Sequence, residues 1–101
     1  MKRYKVVLRP RALRQLAEIE RWIETEASAD VAHRYGDAIV AYCRKLDTFP
    51  DRGRPRDDLR AGMRTVVYRG AVTIGYVVEG EEVHVVGIAS RGRDIDVALK
   101  D

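Results

Sequence analysis

Arg64, His84, Arg91 and Arg93 are the residues of this sequence whose chemistry suits a phosphodiester. Cations held against a phosphate stabilise the charge that develops on it in a transition state. Cutting RNA needs more: one group to activate the 2′-hydroxyl and another to protonate the leaving oxygen. Arginine is too basic to exchange a proton near neutral pH. His84 alone would titrate, and the tail after Arg93 (Asp94, Ile95, Asp96, Val97) holds neither tyrosine nor histidine. The competing reading is bland: solvated charge at strand ends protects sheet edges, and His84 is an exposed strand residue.

Other chemistries are absent from the pattern. One cysteine, Cys43, allows no intramolecular disulfide, which fits a reducing cytoplasm. It lies at the edge of an apolar helical stripe and reads as a buried, inert thiol. No Cys/His cluster offers a metal site, no glycine loop between a strand and a helix cradles a phosphate, and no cofactor is expected. Thr25, Ser28, Thr48, Thr65, Thr73 and Ser90 fall in no nucleophile motif, and His33, near the start of a helix, reads as solvent-exposed.

The chain has 101 residues, 46% hydrophobic and 35% charged, enough for one domain spanning 1–101 with a modest core. The apolar run after the basic N-terminus is only Val6-Val7-Leu8, too short for a signal peptide, and no stretch is long enough to span a membrane. The net charge of +3 is uneven. Residues 1–14 carry six basic and no acidic side chains; residues 15–30 carry one basic and five acidic. Such basic patches suit an acidic partner or nucleic acid as well as a solvated surface.

Residues 4–8 read as a strand. Pro10 then opens a helix to about residue 25, with Leu13, Leu16, Ile19 and Ile23 at helical spacing and Trp22 beside them. Its charges oppose the helix dipole, basic at the start and acidic at the end. They serve some other contact, or i,i+4 pairs such as Arg14–Glu18. Ser28 caps a second helix with the stripe Ala32, Tyr35, Ile39, Tyr42, Leu46, Phe49, which Pro50 ends. On that stripe Phe49 is core, and Phe49→Ala is expected to cost about 3–5 kcal/mol. Residues 50–62 form a loop that Leu59 plugs into a core edge.

Three strands follow, at about 64–68, 72–78 and 83–90, with a tight turn at Gly70-Ala71. The middle and last strands are apolar on both faces. A sheet covered on one face by helices should alternate more cleanly, so a second apolar surface awaits a partner chain or the C-terminal tail. The order β-α-α-β-β-β predicts an α+β two-layer domain, a helical hairpin on a mainly antiparallel sheet.

The run from Leu46 through Phe49-Pro50, Gly53-Arg54-Pro55-Arg56, Leu59-Arg60, Gly62 and Arg64 resembles the ParE branch of the RelE/ParE toxin superfamily. The flanks agree: Tyr4-Lys5-Val6 before the first helix, Ile74-Gly75-Tyr76, Val83 to Ile88, and Arg91 to Asp94. The resemblance implies a bacterial, cytoplasmic toxin of a type II toxin–antitoxin system that poisons DNA gyrase and performs no covalent chemistry. It also implies a ParD-like antitoxin with a ribbon-helix-helix domain and an acidic C-terminal segment, operator DNA being met only through that antitoxin. On this reading Leu16, Trp22, Arg64, Val67 and Val77 face the antitoxin, and Arg91, Arg93 and Asp94 face the target. The alternatives are a RelE-like ribosome-dependent mRNA endonuclease using Arg64, His84, Arg91 and Arg93, and a binding module that has lost its toxicity.

Overall fold

The computed structural model of the chain describes residues 2–90 and 93–100. Among them the order is β1 (Lys5–Leu8), α1 (Pro10–Glu26), α2 (Ala29–Arg44), a 3-10 turn (Lys45–Asp47), β2 (Arg54–Pro55), β3 (Arg64–Tyr68), β4 (Val72–Glu79), β5 (Glu82–Ser90) and α3 (Ile95–Leu99). The strands lie side by side as β1-β5-β4-β3-β2. β1 runs parallel to β5 and the other pairs are antiparallel. The expected α+β arrangement is present, with β2 and α3 added to it.

Local signals explain most of these elements. Pro10 sits in the first turn of α1, where its missing N–H costs nothing. Ser28 caps α2 by accepting a hydrogen bond from the Val31 amide at 3.2 Å. Ala12, Leu16, Ile39, Cys43 and Leu46 meet Val72, Ile74, Tyr76, Val83, Val85 and Ile88 in the core between the helical hairpin and the sheet. Tyr68 closes that layer at its edge, with Tyr35 and Tyr42 against it edge-to-face at centroid distances of 6.0 and 5.2 Å.

Phe49 is a correction to the stripe. Helix α2 ends at Arg44, residues 45–47 tighten to three per turn, and Thr48 is extended. The helical phase is lost after Leu46, which stays buried. Phe49 turns outward and is 63% exposed, while Pro50 is buried. The large cost expected for Phe49→Ala is therefore withdrawn. The turn between β3 and β4 shifts by one residue: Arg69 and Gly70 take φ of 50° and 67°, and the Ala71 amide donates to the Tyr68 carbonyl. Two consecutive positive φ values define the type I′ turn that matches strand twist. Leu13, expected on the buried stripe, is half exposed.

The second apolar surface is covered by the chain itself. On the face away from the hairpin, Leu59, Met63, Val77, Val86 and Ala89 pack with Ala98 and Leu99 of α3. A bulge helps. Gly75 pairs with Gly87 but Tyr76 pairs with Val85, leaving Val86 the extra residue. The anti-dipole charge of α1 also finds its use here. Arg11 donates through both Nη atoms, to the Val97 carbonyl of α3 (3.0 Å) and to the carbonyl of Lys100 just beyond it (2.8 Å). Gln15 donates to the Ala98 carbonyl at 2.8 Å and accepts from the Ile88 amide at 2.7 Å, tying α1, α3 and β5 together.

Cys43 is fully buried as expected, and desolvation pushes its thiol up to about 11. Burial raises Tyr35 and Tyr76 as well. In each the folded state holds its proton more tightly than the unfolded chain, so stability is complete at neutral pH and falls as pH rises. Chemical unfolding at several pH values should show stability dropping between pH about 8.5, the ordinary thiol pKa, and pH 11. A Cys43→Ala variant should lose part of that slope, and an unchanged slope would show that the thiol is not the source.

Candidate functional site

Helix α1 presents more apolar surface than its core needs. Leu16 fills the core, and beyond it Ile19, Trp22 and Ile23 continue along the helix toward the hairpin turn. They form one wall of a groove of about 820 Å3, whose other side is Val31 and Tyr35 of α2 with Ala71 of the β3–β4 turn and Val72 and Ser90 of the sheet. Trp22 is 66% exposed, a large ring left in water. Charge sits at the rim, where Arg93 pairs with Glu18 at 3.0 Å. Glu18 therefore pairs with the tail rather than with Arg14.

The residues expected to face an antitoxin do not converge. Trp22 lines the groove. Leu16 and Val77 are each 5% exposed, the first in the hairpin core and the second beneath α3. Burial withdraws both from any docking surface. Val67 is half exposed on β3, and Arg64 lies at the far end of that strand, with Nη1 donating to the Gly53 carbonyl at 3.2 Å. Of the residues expected to face a target, Arg93 forms the rim pair. Asp94 caps α3, accepting from the Asp96 and Val97 amides at 3.0 and 3.4 Å. Arg91 lies outside the described residues.

The set that would cut RNA is also not brought together. Arg64 pairs in register with Tyr76, and Val77 with His84. Tyr76 points into the hairpin core and Val77 into the α3 core. Side chains alternate across a sheet, so Arg64 and His84 stand on opposite faces. His84 corrects a further expectation. It is 8% exposed, with Nε2 2.8 Å from Glu82 and 3.6 Å from Glu79. These carboxylates on its own hairpin occupy the imidazole. Among the described residues no group of acidic, histidine or cysteine side chains is disposed to hold a metal ion.

The groove residues Ile19, Ile23, Val31 and Tyr35 were legible as apolar but not as surface. The signal lay in the width of the arc. Trp22 stands off the stripe that Leu16 and Ile19 define, more apolar circumference than one covered face requires.

Comparison with known proteins agrees with this architecture. In solved structures the fold is similar to the "Chromosomal ParDE TA system from P. aeruginosa", at 19% identity over 86% of this chain and 95% of that one, with a TM-score of 0.75. It is also similar to the toxin–antitoxin complex RelBE2 from Mycobacterium tuberculosis, at 21% identity over 92% and 97%, with a TM-score of 0.64. No curated protein sequence matches the chain. The family description "ParE toxin of type II toxin-antitoxin system, parDE" matches residues 6–95. With nearly the whole described fold inside that match, the chain belongs to the ParE toxin family of type II toxin–antitoxin systems.

Proposed function

We propose that this toxin acts in the cytoplasm by inhibiting DNA gyrase, without covalent chemistry or a cofactor. A ParD-like antitoxin neutralises it, and operator DNA is reached only through that antitoxin. The observation that carries the choice of target is the separation of Arg64 from His84 across the sheet. A nuclease needs cation and proton-transfer groups around one phosphate, whereas inhibition of a topoisomerase needs only a binding surface. The Trp22 groove supports the antitoxin half of the reading. An amphipathic helix laid along α1 and α2 would bury Trp22, Ile19 and Ile23. The similarity to a solved ParDE system points the same way.

The test is a paired assay on the toxin freed from its antitoxin. Supercoiling by gyrase should be inhibited, or cleaved DNA should accumulate, while ribosome-bound mRNA stays intact under matched conditions. Cuts in the mRNA that vanish in Arg64→Ala or His84→Ala would overturn the reading in favour of a ribonuclease.

A further inference from the structure

Phe49 stands out on two independent grounds. It is a large aromatic side chain 63% exposed, and its backbone is left-handed, with φ of 50°. A bulky residue seldom adopts that conformation, and the residue before a proline is normally held extended. Pro50 follows it. The surrounding loop is pinned in place. The Tyr76 hydroxyl donates to the Arg52 carbonyl, and the Arg52 guanidinium donates to the Lys45 carbonyl. Strain maintained by such contacts concentrates at functional sites.

The ring forms part of a concavity of about 590 Å3, with Tyr4, Val78, Lys2, Arg64 and Asp51 around it. Val78 is itself exposed. Lys2 lies over the Tyr4 ring at 5.0 Å, and Arg64 spends one Nη on the Gly53 carbonyl. Neither cation is ion-paired among the described residues. An apolar pocket flanked by available cations is complementary to a peptide offering an apolar side chain next to a carboxylate. Asp51 at the rim disfavours the continuous phosphates of a nucleic acid. The pocket is separate from the Trp22 groove: Val72 of β4 lines the groove and Val78 lines the pocket. Six residues of strand span roughly 20 Å.

We infer that the Phe49 pocket docks an acidic, apolar segment of the toxin's target protein, at the opposite end of the sheet from the antitoxin groove. The inference rests on the proposed toxin function. Phe49 is kept in a strained, exposed position because its ring is the anchor for that segment.

The experiment compares the parent toxin with Phe49→Gly and Lys2→Glu in growth arrest on induction, gyrase supercoiling, antitoxin affinity and thermal melting. Glycine accepts positive φ without strain, so Phe49→Gly is expected to melt at or above the parent. Antitoxin affinity should be unchanged, while growth arrest is lost and gyrase inhibition weakens at least tenfold, a typical loss for an interface anchor. Lys2→Glu, next to the N-terminus and outside the sheet, carries the same functional expectation should Phe49→Gly fail to fold. Variants that arrest growth like the parent overturn the inference alone. A parent that arrests growth without inhibiting gyrase overturns the gyrase reading, and the growth comparison still decides the pocket. A parent that does neither overturns both. Loss of antitoxin affinity in Phe49→Gly reassigns the pocket to the antitoxin. Binding of a labelled single-stranded oligonucleotide by the parent that Phe49→Gly abolishes reassigns it to nucleic acid, and either result overturns the inference.

Discussion

A Trp22→Ala toxin is expected to bind its antitoxin about a hundredfold more weakly than the parent, a loss of roughly 3 kcal/mol. Its melting temperature should barely move. The two effects separate because the ring is 66% exposed in the free toxin and contributes little to the fold. Binding is what would remove it from water. A tryptophan buries on the order of 150–250 Å2, and at about 25 cal/mol per Å2 the newly covered part is worth roughly 3 kcal/mol. Ile19, Ile23, Val31 and Tyr35 provide the apolar walls that make such an anchor effective. Calorimetric titration of the antitoxin against parent and variant measures it directly. Affinities within about threefold of each other, well below the loss expected of an anchor, would show that the groove is not the antitoxin's seat.

The second large effect is on stability. Gly53→Ala is expected to destabilise the fold by about 3–5 kcal/mol, through a steric clash added to backbone strain. A Cβ at this position would lie 2.8 Å from the Tyr76 hydroxyl and 2.9 Å from the Thr65 carbonyl oxygen, and φ is already +94°. The Thr65 oxygen is sheet backbone and cannot step aside. The Tyr76 hydroxyl is fixed by the Arg52 carbonyl, so relief there breaks the bond that pins the loop. Gly62→Ala is the control. Its φ is +78°, but a Cβ there meets nothing within 4 Å, so it should incur only the conformational term of about 1–2 kcal/mol. Urea unfolding of both variants isolates the clash as the difference. Equal losses would show that strain, not contact, makes Gly53 necessary.

What depends on neighbours along the chain could be read without a structure. Pro10 and Ser28 mark helix starts through their own backbone chemistry, and the three–four spacing of Ala32, Tyr35, Ile39, Tyr42 and Leu46 needs no distant partner to be read. The β3–β4–β5 meander was legible for the same reason, as was a family pattern carried by the ordered loop from Leu46 to Arg64. Whatever depends on which face a residue meets emerges only from packing. Phe49 kept helical spacing on paper, yet the 3-10 turn at 45–47 changes the phase and sends it outward. The two-sided apolar strands left open whether a partner chain or the C-terminal tail covers the second face, and a five-residue helix of that tail, too short to announce itself by periodicity, folds back over it. Arg64 and His84 are plausible partners by residue type, and strand register alone puts them on opposite sides of the sheet. Spacing along a chain fixes local geometry within a turn or a strand. Which side of a sheet is covered, and by what, is set by contacts between residues as far apart as Gln15 and Ala98, and those carry no mark in the linear pattern.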